Sequence, residues 1–206
     1  MTLIRRIAGC AALIGVAACG RTSSQDAAAD EVVADSSAVA HPAVQVDRAA
    51  APDSALTAAG WRGLRIGMTR AEVVAAAGED AHPEAVGGPD PASCDEFRPT
   101  SAPEGLLVMI RSGRLSRIAI SEGTGIATGA GIEVGDPASA VVEAHGADVV
   151  STPHVYHPAP ARYLAVWQVQ PPAPAARGIV YEIDGSERVM RILAGDESVE
   201  YPEGCV

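Results

Sequence analysis

One stretch of this chain occurs twice, and that constrains its fold more than any other feature. GLRIGMTRAEVVAAAG at 63–78 returns as GIEVGDPASAVVEAHG at 131–146. The glycines align at 63/131, 67/135 and 78/146 with one constant offset of 68 and no gap. Val73/Val141, Val74/Val142 and Ala76/Ala144 are identical, and Leu64/Ile132 and Ile66/Val134 are conservative. A second block also recurs. Gly105–Gly113 runs into Arg-Leu-Ser-Arg-Ile (114–118), and Gly178–Gly185 runs, two residues later, into Arg-Val-Met-Arg-Ile (188–192). Self-similarity of this kind marks a repeated supersecondary unit.

Each unit reads as a short extended entry, one helix, a variable stretch and a β-hairpin. Ser112-Gly113 and Asp184-Gly185 are turn dipeptides between β-branched-rich, alternating runs. The expected fold is therefore α+β: two tandem helix-on-antiparallel-sheet repeats, spanning 61–123 and 124–206. The helices account for their own glycines. Thr69 with Glu72 makes a capping box, and Asp136 is a natural N-cap ahead of Pro137 at the first helical position. Gly78 and Gly146 stand where a C-terminal left-handed residue is wanted. Val73, Val74 and Ala77, and Val141 with Val142, are predicted to face the core.

A Gly-rich turn feeding a helix can also cradle phosphate, but the chain has no GxxxxGK[ST], no lysine and no GxGxxG. Glu72 and Asp136 place negative charge at the helix ends that would hold an anion. No nucleotide is expected. Among the histidines (His41, His82, His145, His154, His157), only His154 and His157 form a local pair, and Pro153 and Pro158 flank it. That context predicts exposed loop histidines rather than a metal site. No GxSxG elbow occurs, and Asp95, Glu96, Glu143 and Asp148 read as a solvated acidic surface. Neither a catalytic constellation nor a metal or cofactor site is expected.

The N-terminus has its own grammar. Arg5 and Arg6 precede a short apolar run, Ile7–Ala18, which reads as a secretory signal (1–18), too short to span a bilayer of ~30 Å. Its end, Val16-Ala17-Ala18-Cys19, resembles a bacterial lipobox, which implies acylation at Cys19. Several acyl chains on one cysteine anchor stably, at ~0.8 kcal/mol per buried CH2. The alternative is a freely secreted chain whose signal happens to end in cysteine. Residues 19–60 are dominated by Ala, Asp and Ser, without an aromatic, and read as a disordered tether. Cys94 and Cys205 then remain as an even pair in an oxidising compartment, which predicts a disulfide; two buried thiols are the alternative.

Removing residues 1–18 takes away two arginines and no acid, leaving 13 Arg against 26 Asp plus Glu. Such a chain is a poor binder of nucleic acid. What remains is a surface. Strand alternation puts Ser116, Ile118 and Ile120, with Met190, Ile192 and Ala194, on the expected helix-facing side. It puts Leu115, Arg117 and Ala119, with Val189, Arg191 and Leu193, on the other. Arg117, Arg191, Tyr163 and Trp167 are the candidate partner-binding residues, mixing arginine with aromatic anchors as protein interfaces do.

The signature GLRIGMTRAEVVAAAG followed by LLVMIRSGRLSRI resembles SmpA/BamE-type outer-membrane lipoproteins. Two such units in tandem resemble the architecture of the β-lactamase inhibitor protein. By the same resemblance to Gram-negative lipoproteins, Gly20 after the acylated cysteine implies the outer membrane, facing the periplasm or the cell surface. The resemblance implies helices packed on an antiparallel sheet with one sheet face open to a protein of the envelope. The expectation is a non-enzymatic binding or scaffold lipoprotein. An inhibitor of a periplasmic or extracellular hydrolase is one alternative, and an enzyme with a site near His154–His157 another.

Overall fold

The structure is a computed structural model that describes residues 53–85 and 87–206. The signal segment, Cys19 and the tether through residue 52 lie outside the described residues. The elements run β1 (Gly60–Trp61), β2 (Leu64–Arg65), α1 (Arg70–Ala77), β3 (Cys94–Phe97), β4 (Leu106–Arg111), β5 (Arg114–Ile120), α2 (Ala138–His145), β6 (Val149–Pro153), β7 (Arg162–Val169), β8 (Arg177–Ile183) and β9 (Val189–Gly195). Strands β1 and β2 form a small ribbon. The other seven form one antiparallel sheet ordered β3-β4-β5-β9-β8-β7-β6. The fold is α+β. The two hairpins meet in the middle of this sheet, where β5 pairs with β9 through Ile118 opposite Ala194 and Ile120 opposite Ile192.

The folded part starts before Trp61, where the tether was expected to end. Leu56 is fully buried, its N–H donates to Ala127 O, and the Trp61 indole donates to Ser54 O. A single apolar residue inside an Ala/Ser-rich run carries too little signal to be read as core, yet here it closes one end of the core.

Both helices cover the same face of the sheet. Val73 and Ala77 from α1, with Ala138 and Val141 from α2, pack into one cluster with Leu106, Val108, Ile118, Ile120, Leu164, Ile183 and Ile192. Val142 is not part of it; it lies 46% exposed, because a helix of eight residues buries only a narrow stripe. The capping box forms as expected, with Thr69 Oγ1 accepting from Glu72 N–H and Glu72 accepting from Thr69 N–H. At α2 the residue preceding the helix is Pro137 rather than the expected Asp136, whose carboxylate accepts from Glu133 N–H at 2.9 Å.

Gly67 and Gly135 sit at φ +97° and +94°, with open space where a Cβ would stand, so their requirement is backbone conformation rather than close approach. Their surroundings match. Gly67 N–H donates to Leu115 O and Gly135 N–H to Val189 O, both at 2.7 Å, while Arg114 and Arg188 each donate to the carbonyl of the respective glycine.

The hairpins also share a bulge. Met109 faces Arg117 but Ile110 faces Leu115, leaving Ser116 as an extra residue; likewise Glu182 faces Arg191 but Ile183 faces Val189, leaving Met190 extra. Each bulge resets the alternation. Leu115 and Val189 therefore join the helix-side core instead of the opposite face, and Met190 is 38% exposed instead of core-facing. Strict period-two reading could not place an unpaired residue. The turns differ too: Ser112 and Gly113 both take positive φ, whereas in β8–β9 the left-handed position falls on Glu187, not Gly185.

Candidate functional site

The face of the sheet away from the helices carries a second, smaller cluster of Ala119, Ala165, Val180, Leu193 and Val199, flanked by Leu107, Tyr163 and Trp167. Half of this face is covered by the C-terminal segment. Asp196 accepts from Ser198 N–H and starts the 3₁₀ turn Glu197–Glu200, whose Val199 is buried. Arg117 then pins the segment, donating to Ser198 O and Tyr201 O at 2.9 Å and to Glu96 Oε1 at 2.6 Å. Arg111 donates to Tyr201 Oη and pairs with Glu197. The Cys94–Cys205 disulfide, joining residues 111 positions apart, fastens the end to β3. The predicted pairing of these cysteines is formed.

This strap corrects the expected role of Arg117. The side chain is 2% exposed and bound on three sides, so it is structural and offers nothing to a partner. Burial pulls its proton affinity down, against the pull of Glu96 in the other direction. Glu96 and Asp95, read as solvated acids, are an ion-pair partner of Arg117 and a buried partner of Arg70.

The other half of the face, over β6–β9, is an open groove of about 300 Å³. Its floor is Ala165, Val180 and Leu193, adjacent across three strands. Val150, Thr152 and Val155 form one wall, and Val199, Glu200 and Pro202 of the strap form the other. Tyr163 and Trp167, two of the predicted anchors, stand at either end of Ala165 and line the groove together. The Trp167 ring lies against Gly178, where a Cβ would come within 2.5 Å of Cε3. Tyr156 donates its hydroxyl to Glu203, joining the 154–157 loop to the strap beyond the groove.

A buried polar network closes the Tyr163 end. Tyr163, Glu182 and Arg191 are cross-strand neighbours, and Arg191 Nε donates to Glu182 Oε2 at 2.7 Å. Arg191, the remaining predicted anchor, is thus partly exposed and already paired. His154 is no surface histidine. Its side chain is 2% exposed, its ring stacks on Tyr163 with centroids 4.6 Å apart, and Nε2 lies 2.9 Å from Glu182 Oε1. Nδ1 accepts from the N–H groups of Tyr156 and His157, so the hydrogen bonds assign the proton to Nε2. Neither ring nitrogen is left to take a proton from a substrate. The Tyr163 phenol is held above its ordinary value, first by burial and then by the charge of Glu182.

The edge strand β6 is poorly suited to strand addition. His154 N–H donates to Ala161 O, so alternation turns Thr152 and Val150 toward β7 and leaves Ser151 and Pro153 facing outward. Pro153 has no N–H to offer, and Val149 N–H already donates to Gly146 O. The accessible feature is the face.

Sequence reading missed Glu182, Ala165, Gly178 and the strap residues. Glu182 had a local signal, a carboxylate inside the apolar run GIVYEI. The others had none. Among the described residues no group of three or more His, Cys, Asp or Glu is placed to hold a metal, and no helix is long and apolar enough to cross a membrane. No model of a protein family, no characterised protein and no solved structure matches this chain.

Proposed function

We infer that this chain is a non-enzymatic lipoprotein of the bacterial envelope, anchored at the outer membrane through acylated Cys19, that binds a partner protein in the groove over β6–β9. The observation that carries the binding reading is the groove itself. It is an apolar depression on a helix-free sheet face, with an aromatic ring at each end and a floor of small and medium side chains. Four of the exposed large apolar residues, Val150, Val155, Tyr156 and Tyr201, lie in or beside it, where an isolated soluble surface has no use for them.

The architecture is two tandem helix-on-sheet repeats similar to SmpA/BamE-type units, arranged as in the β-lactamase inhibitor protein. The matched contacts of Gly67 with Leu115 and of Gly135 with Val189, and the bulges at Ser116 and Met190, support this reading. The occupied nitrogens of His154 take support away from an enzyme centred on that loop.

Two experiments test the proposal. Replacing Cys19 with Ser should move the protein from membranes to the soluble fraction; retention in membranes would sink the lipoprotein reading. A photo-crosslinking residue at Val155 should capture an envelope protein in cells, while the same residue at exposed Val142 on the helix side should not. Equal capture at both sites would remove the groove as the binding surface.

A further inference from the structure

Resting on the reading of the groove as a protein-binding site, we propose that its occupant is a partner segment presenting one bulky apolar or aromatic side chain beside an arginine or lysine. Tyr163 and Trp167 are four residues apart on one strand, so their Cα atoms stand roughly 13 Å apart at ~3.3 Å per residue. Between them the floor is Ala165. The space between them, about 300 Å³, is of the order of one large side chain.

The charge at the mouth selects what lies next to that side chain. The groove is bordered by one ionisable residue with no partner, Glu200; it is exposed, and no ion pair or hydrogen bond of its side chain occurs among the described residues. Arg191, beyond Tyr163, is neutralised by Glu182, and Arg177, at the Trp167 end, lies in the field of Glu197. Glu203, on the far side of Pro202, adds a second carboxylate. The mouth is therefore negative, in a chain with 26 acidic against 15 basic residues. A cation flanking the anchor meets Glu200 over a low-dielectric apolar wall, which strengthens the pairing, while an acidic neighbour is repelled.

The same charge argues against an anionic acyl chain, whose carboxylate or phosphate would lie against Glu200. The outward-facing Pro153 argues against an occupant that adds a strand to β6.

The test is selection from a short random-peptide library displayed on phage, against the purified full chain in detergent. Glu200→Arg, Trp167→Ala and Val150→Arg variants run in parallel. Glu200 and Val150 are exposed, so those two variants keep the fold even where Trp167→Ala does not. Peptides enriched on the wild type should share an aromatic or branched apolar residue next to Arg or Lys. They should lose binding to Val150→Arg and bind Glu200→Arg roughly three- to tenfold more weakly. Enriched peptides that need Val150 but carry no cation, or ignore Glu200→Arg, overturn this proposal and leave the groove reading standing. Peptides with no dependence on Val150 or Trp167 overturn both. Displacement of the selected peptides by decanoate, with a shift in tryptophan emission, would make the occupant an acyl chain and overturn the proposal.

Discussion

The indole of Trp167 lies against Gly178, its cross-strand neighbour, at a distance no side chain on residue 178 would permit. This pair sets the depth of the groove at one end. An added Cβ would meet Cε3 at 2.5 Å and Cδ2 at 2.9 Å, so the ring would have to lift. Gly178→Ala should destabilise the fold by about 1–3 kcal/mol as an overpacking change, shift tryptophan emission to longer wavelength and weaken groove binding. Denaturant unfolding and fluorescence check it; an unshifted spectrum would mean that the ring does not rest there.

Arg117 and Glu96 form a pair at 2.6 Å with the guanidinium almost wholly buried. Removing one partner leaves the other charge without compensation, so Arg117→Met should cost about 3–5 kcal/mol in urea unfolding. Arg117→Met combined with Glu96→Leu should recover much of that loss. Equal stability of the single and double variants would show that the pair is not coupled.

Cys94–Cys205 closes the largest covalent loop in the described chain. Cys94→Ser with Cys205→Ser should lower stability by about 4–5 kcal/mol at most in the chain-entropy account. The strap should become a substrate for limited proteolysis at 196–206 while the helix side stays protected. Proteolysis that begins on the helix side instead would contradict the strap's role.

His145 bonds to Tyr181 Oη at 3.0 Å, and burial depresses its proton affinity below the ordinary 6.5, with Asp148 opposing. The unfolded chain then binds the proton more readily than the folded one, so stability rises with pH across the interval between the two values. The contribution is complete above the ordinary value and is lost as pH falls through the folded one. His145→Gln should flatten this dependence between neutral and mildly acid buffer, measured as urea midpoints. Parallel curves for the two proteins would exclude the assignment.

The two helices start differently, with Thr69 capping α1 and Pro137 preceding α2. Thr69→Ala should cost about 1 kcal/mol through loss of the capping box. Asp136→Ala should loosen the turn at Glu133, which helix-specific amide exchange can separate from the loss at α1. Equal loss of protection in both helices would refute the difference.

Much of the local structure was legible because it depends on neighbours in sequence. Thr69 and Glu72, Ser112-Gly113 and the positive φ of Gly78 and Gly146 follow from which groups a short segment can satisfy itself. Cys94 and Cys205 were legible as the even pair left once the N-terminus is read as a secretory signal. Asp136 misled because the helix starts one residue later than its position suggested, with Pro137 preceding it, and the carboxylate holds the Glu133 N–H of the preceding turn. Leu115, Val189 and Met190 misled because one bulge residue reverses every side chain beyond it.

The sequence by itself determined the Thr69–Glu72 cap, the Ser112-Gly113 turn, the acidic balance and the α+β class, since each rests on periodicity, propensity or counting. Only the tertiary structure decided that the hairpins merge through β5 and β9 into one sheet and that residues 196–205 strap half of its free face. It alone decided that Arg117 lies beneath that strap while Tyr163 and Trp167 border an open groove. Arg117 and Arg191 occupy matching places in their strands and read alike. What separates them is a segment 81 to 84 residues away from Arg117 in sequence, which buries one and leaves the other at a rim, and burial against so distant a segment has no local signature.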